Sequence, residues 1–152
     1  YGGLIVHLSI VLIAFGIVGS SLFTVSKETA LIPGDSLTLN QYQLTYERLD
    51  RSQTQNKDIA TAIISVAASG KPVGQLLPQQ YIQNNQKVSE VAIRSTLRED
   101  LYVILDNPDD NGAAAFKVII NPLVSWMWIG GVVMVLGGLL AFWPEIKTER
   151  KR

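Results

Sequence analysis

No cysteine occurs in the 152 residues, and histidine occurs once, at His7. Without cysteine the chain forms no disulfide and supplies no thiol chemistry of its own. With no second histidine, no Gly-x-Ser-x-Gly and no phosphate-binding loop, no soluble catalytic constellation is visible. Net charge is absent too, 13 basic side chains against 13 acidic, so there is no basic footprint for nucleic acid and none is expected as a partner. The acidic pairs Glu99/Asp100 and Asp109/Asp110 read as solvated groups at a strand edge and in a turn, and Arg94 and Arg98 near Glu90 and Glu99 as a solvated or salt-bridged strand face.

Charge is also missing from two long stretches, Leu4 to Phe23 and Leu123 to Trp143. Twenty residues of helix rise ~30 Å, the thickness of a bilayer's hydrocarbon, so each stretch reads as a transmembrane helix. The mean hydropathy of +0.21 and the 47% hydrophobic content are concentrated in these two ends. The expected organisation is a first span over 3–24, a β-rich domain over 25–121, a second span over 122–143 and a basic tail over 144–152. That tail holds Lys147, Arg150, Lys151 and Arg152 against Glu145 and Glu149, whereas residues 24–123 hold nine basic and eleven acidic side chains. The positive-inside rule therefore puts both ends in the cytoplasm and the middle outside, in the periplasm. The first stretch is long for a signal peptide, weakly flanked by positive charge and without a clear cleavage site; with Tyr at position 1, the chain is expected to be part of a longer polypeptide.

An ionisable ring within a span is costly unless it has polar protein partners or a bound ligand, which makes His7 the candidate site. On a helical wheel it shares a face with Gly3, Ile10, Val11, Ala14 and Val18, smooth enough for a flat ligand or for a neighbouring helix. Gly16 and Ser20 form a small-xxx-small pair, and Gly130/Gly137 and Gly131/Gly138 form a glycine stripe, both suited to close helix packing in lipid. Trp126 and Trp128 would mark the outer interface and Trp143 the inner one.

Between the spans the period changes to that of strands. Leu37 and Leu39, then Tyr42, Leu44 and Tyr46, alternate with polar residues, with a turn or bulge at Asn40 and Gln41. Arg51 to Lys57 reads as a polar loop, Ile59 to Ala68 as a buried strand closed by Gly70, Pro72 and Gly74, and Val88 to Leu97 and Leu101 to Leu105 as further strands. A turn from Asn107 to Gly112 precedes a last strand, Ala114 to Ile120. Asn121 and Pro122 then predict an N-cap and first helical position. Five or six such strands predict a small antiparallel all-β domain, a barrel or sandwich, between two transmembrane helices.

Three stretches together resemble the carboxy-terminal part of the CcmF family, the large membrane subunit of the cytochrome c maturation haem lyase. They are Gly2-Gly3-Leu-Ile-Val-His7, the block from Glu90 to Leu105 and the segment from Phe116 to Gly131. The resemblance implies a multi-pass protein of the bacterial inner membrane that helps transfer haem from a carrier protein to the CxxCH thiols of apocytochrome c. It implies contact with the rest of the CcmF chain, with other maturation subunits and with lipid. In that family a histidine in the helix before this domain is an axial ligand of a b-type haem, and His7 is the residue that matches; the second ligand would lie outside these residues, and this piece alone would not be an active lyase. At Pro78-Gln-Gln-Tyr81, read as a loop, glutamine stands where the family usually has a basic residue. A competing reading makes the chain a two-span scaffold whose β-domain binds other assembly factors, with no haem.

Overall fold

The structure, a computed structural model, describes residues 1–54, 57–83 and 85–142. Trp143 and the basic tail lie outside these residues. The chain divides into two compact units: Tyr1–Phe23, Leu97–Glu99 and the chain from Pro122 on form one, and Thr24–Thr96 with Asp100–Asn121 forms the other.

The second unit is a two-layer antiparallel β-structure. Among the described residues its strands are β1 (Val25–Leu31), β2 (Ser36–Leu39), β3 (Tyr42–Thr54), β4 (Lys57–Ala68), β5 (Lys71–Leu76), β6 (Gln79–Gln83), β7 (Gln86–Glu90), β8 (Ala92–Ser95), β9 (Glu99–Asp106) and β10 (Ala114–Pro122). One sheet has the order β1-β10-β9-β8; the other runs β2-β3-β4-β6-β7, with β5 also paired to β4. Alternation builds the core: Tyr42, Leu44 and Tyr46 of β3, Leu101, Val103 and Leu105 of β9, and Phe116, Val118 and Ile120 of β10 are all buried. Ile63 and Ile64 are buried on opposite faces of β4, as suits a central strand with neighbours on both edges. Tyr46 stacks edge-on against Phe116, ring centroids 4.8 Å apart, and its hydroxyl donates to the Gly112 carbonyl at 2.8 Å.

Turn chemistry sets the register. Ser69 and Gly70 both have positive φ, 50° and 78°, between the paired residues Ala68 and Lys71. A two-residue loop of that kind matches the twist of the strands it joins. Asn40, at φ 52°, turns β2 into β3 where the change of phase was expected.

Several expectations need correction. There are ten strands among the described residues instead of five or six, because β1, β5 and β6 (VSKETAL, KPVGQL, QQYIQ) carry little of the apolar alternation that marks a strand. Arg51–Thr54 is not loop: the backbone stays paired, Arg51 with Ala60 through Thr54 with Lys57, while the side chains are exposed on both faces and so read as polar. Gln55 and Asn56 lie outside the described residues. The stretch from Val88 to Leu97 is not one strand but breaks at Val91, passing from one sheet to the other. Pro78-Gln-Gln-Tyr81 leads straight into β6, where the buried Gln80 donates through Nε2 to Asp106 Oδ1 at 3.0 Å.

Candidate functional site

The first unit contains α1 (Gly2–Leu22) and α2 (Val124–Ala141), both long and apolar enough to cross a membrane. No Asp, Glu, Lys or Arg interrupts either, so His7 is the one titratable side chain in the two helices. The pair is antiparallel and meets through small residues. Gly2, Ser9, Gly16 and Gly19 are the buried residues of α1, and Gly130 and Gly137 those of α2. A Cβ added to Gly16 would lie 2.8 Å from the Met127 backbone nitrogen, and one added to Gly130 would lie 3.0 Å from the Ser9 carbonyl oxygen. Backbones this close leave no room for side chains between them, so the contact depends on glycine and serine. At one end Phe15 meets Trp126 edge-on at 6.3 Å.

The seven-residue spacing Gly2–Ser9–Gly16 faces the seven-residue spacing Gly130–Gly137. This interface was half legible: Gly16 and the Gly130/Gly137 stripe were identified, Gly2 and Ser9 were not. The stripe Gly131/Gly138 is not part of it, since a Cβ at either would meet open space. Ser20 is not a contact residue of the same kind either; it is half-buried, and its hydroxyl donates to the Ile17 carbonyl in its own helix.

The start of α2 also differs from expectation. Pro122 ends β10, and Leu123 is the N-cap, in the left-handed region at φ 62° with no side-chain cap. Its N–H donates instead to the Arg98 carbonyl at 2.7 Å. The Asn121 side chain is occupied elsewhere, accepting from the Thr24 hydroxyl at 2.8 Å.

His7 lies on the side of α1 that α2 leaves uncovered. Gly3, His7, Ile10, Val11, Ala14 and Val18, the face predicted for the site, are all exposed. The ring Nδ1 is 2.7 Å from the Gly3 carbonyl oxygen, one turn back along the helix. A carbonyl only accepts, so the hydrogen of a neutral ring lies on Nδ1, and the lone pair is on Nε2. Nε2 has no partner among the described residues. This is the arrangement in which a metal-ligating histidine is held, with one nitrogen fixed by a backbone carbonyl and the other free to coordinate. The Gly3 carbonyl satisfies one of the two ring nitrogens, and α2 contributes no partner for the other among the described residues.

In the β-unit several polar side chains are engaged structurally, whereas the buried Asp100 keeps one carboxylate oxygen, Oδ1, without a partner among the described residues. Arg94 donates to the Val73 carbonyl at 2.8 Å, joining β8 to β5. A cleft of about 560 Å³ is bordered by Arg51, Asp58, Gln80, Tyr81, Lys87 and Asp109. Arg51 is bound to the Asp109 carbonyl and to Asp110, and Lys87 to Asn107. No group of three His, Asp or Glu suited to a metal ion occurs among the described residues. His7 is therefore the candidate that both sequence and geometry leave standing.

Comparison with known proteins bears on the family of the chain. The family described as CcmF C-terminal beta-sandwich matches residues 22–122. The cytochrome c-type biogenesis protein CcmF of Pseudomonas aeruginosa is 34% identical over 93% of this chain and 22% of its own length, and that of Escherichia coli is 30% identical over 99% of this chain and 24% of its own. The chain thus spans under a quarter of these bacterial relatives. A solved structure, "Cytochrome c Heme Lyase CcmF", shares the fold with a TM-score of 0.78 at 23% identity, covering 94% of this chain and 24% of that one. On the match over residues 22–122, the chain belongs to the CcmF C-terminal beta-sandwich family.

Proposed function

We propose that this chain is the carboxy-terminal portion of a cytochrome c maturation haem lyase, and that His7 is an axial ligand of a b-type haem within the membrane. Residues 3–24 and 122–143 span the bacterial inner membrane, 25–121 are periplasmic and 144–152 cytoplasmic. The larger protein transfers haem from a carrier to the CxxCH thiols of apocytochrome c, working with other maturation subunits. The observation that carries the reading is the His7 ring: its Nδ1 is fixed to Gly3, and its Nε2 lies on the face that α2 does not cover.

The residues fit such a group. Neutral imidazole is a common axial ligand, and the Gly3 carbonyl sets both the tautomer and the ring direction while raising ligand basicity. Gly3, Ile10, Val11, Ala14 and Val18 offer a smooth wall without donors or acceptors, against which a flat macrocycle can lie and from which water is excluded. A haem held there supplies one-electron chemistry. The second ligand comes from the remainder of the longer protein.

Changing His7 to Ala in that longer protein removes the bond to iron while leaving the length and hydrophobicity of α1 intact. The Soret band of the purified protein should fall with no loss of membrane insertion, and cytochrome c yield should fall with it. Unchanged haem content together with normal maturation would sink the assignment and favour the two-span scaffold.

A further inference from the structure

The turn between β8 and β9 groups with the helices, not with the strands it joins. Two features fix it there. The Arg98 carbonyl accepts the Leu123 N–H at 2.7 Å, and Leu123 is held in the left-handed region at φ 62°, a conformation that leucine adopts only when its surroundings impose it. The turn is thereby tied to the end of the helix pair where α1 finishes and α2 begins, the end at which the Leu123 side chain packs against Gly19.

The turn is Leu97-Arg98-Glu99, and its one apolar side chain is open to the surroundings. Leu97 is 69% exposed, although the carbonyl of the next residue is bonded to the start of α2. Phe23 at the end of α1 is 65% exposed and Trp128, one turn into α2, is 75% exposed. A single exposed leucine needs no explanation, but one whose neighbour is bonded to the start of α2, with an exposed phenylalanine at the end of α1 and an exposed tryptophan a turn into α2, adds to the apolar surface of that end of the helix pair. Aromatic and aliphatic side chains gather where helices leave the hydrocarbon for the headgroups.

We propose that the Leu97–Arg98 turn is a lipid-contacting foot, with the Leu97 side chain entering the boundary between headgroups and acyl chains of the outer leaflet. It rests on the reading of α1 and α2 as membrane spans. The partner is a phospholipid surface, and the contact continues the apolar surface of the helix pair. The foot fixes the depth of the Leu123 kink in the bilayer, and through it the height of the first turn of α2.

The natural absence of cysteine permits a direct test. Single cysteines replacing Leu97, Val132 or Lys71 carry a nitroxide, and each full chain is reconstituted into vesicles of phosphatidylethanolamine and phosphatidylglycerol. Accessibility to oxygen, which partitions into lipid, is compared with accessibility to a water-soluble nickel chelate. The oxygen-to-nickel ratio at 97 should lie between those at 71 and 132, about threefold or more above that at 71. A ratio at 97 equal to that at 71, with 132 in lipid, overturns the foot alone. If 132 is also in water, the membrane reading of α2 falls as well. A label at 97 shielded from both reagents means that protein covers the turn, which likewise overturns the proposal.

Discussion

The helix pair and the β-unit place size and polarity in opposite ways. In the β-unit the buried side chains are large and apolar, Tyr46, Phe116, Leu44 and Ile64 among them, and the exposed ones are mostly polar. In the helix pair the buried residues are glycine and serine, while Leu4, Leu8, Phe15, Val132 and Leu139 face outward. Only 22% and 11% of the most apolar windows of α1 and α2 are buried among the described residues. Water drives large apolar groups together, so a β-unit in water hides them. A hydrocarbon surrounding removes that drive, and what then holds two helices together is close van der Waals contact between backbones. The two units thus follow opposite packing rules, and the change occurs at Phe23–Thr24 and again at Asn121–Pro122.

The comparison breaks first if the same lesion is equally harmful on both sides. Phe116→Ala removes a fully buried ring and should destabilise the β-unit by about 3–5 kcal/mol, whereas Leu139→Ala, on an outward face of α2, should change stability by no more than about 0.5 kcal/mol. Chemical denaturation of the chain in detergent, followed by circular dichroism, separates the two. Adding volume should reverse the order. Gly130→Leu drives a side chain into Ser9 and Ile13, and should weaken the helix pair by about 1–3 kcal/mol or more. Gly131→Leu, one residue on, meets open space and should be neutral, or stabilise the helix by up to about 1 kcal/mol. Equal effects at 130 and 131 in thermal melts would show that α1 and α2 do not pack through this stripe.

The apolar spans were legible because 20 charge-free residues satisfy a constraint of length and composition that little else imposes. The strands with one wet face were legible too: Tyr42, Leu44 and Tyr46 announce themselves by alternation. What stayed hidden has physical causes. β1 and β6 lack a clear apolar face, so their pattern carries little signal, and Arg51–Thr54 keeps its pairing while neither face is covered. The cap of α2 was misread because Asn121 and Pro122 fit a local rule that a distant carbonyl, Arg98, overrides. At the candidate site, the sequence identified His7 and its face from helical spacing alone. It could not show that α2 turns to the other side, since that depends on which of the small residues the two backbones share. Nor could it show the ring's tautomer, which the Gly3 carbonyl sets.

A final contrast lies within the β-unit, between the hydroxyl of Tyr46 and its ring. The ring belongs to the apolar core with Phe116, while the hydroxyl gives the Gly112 carbonyl its hydrogen bond. Tyr46→Phe keeps the ring and leaves that carbonyl without the donor, so a loss of about 1–3 kcal/mol is expected, below that of Phe116→Ala. The same hydroxyl makes stability depend on alkali. Burial, and then the nearby Asp109 charge, raise its pKa above the ordinary value of 10.0, with Arg51 opposing. The folded state therefore holds the proton more tightly than the unfolded chain. Below the unfolded value both states are protonated and the contribution is complete; as pH rises past it the unfolded chain ionises first, and the contribution declines until the folded pKa is passed. Tyr102, raised by burial and by Asp100, acts in the same direction and remains in the variant. Denaturation midpoints should fall above pH 10 in the parent chain, and fall less steeply in Tyr46→Phe. A variant whose midpoints decline as steeply as the parent's would mean that the Tyr46 hydroxyl is already open to water in the folded β-unit.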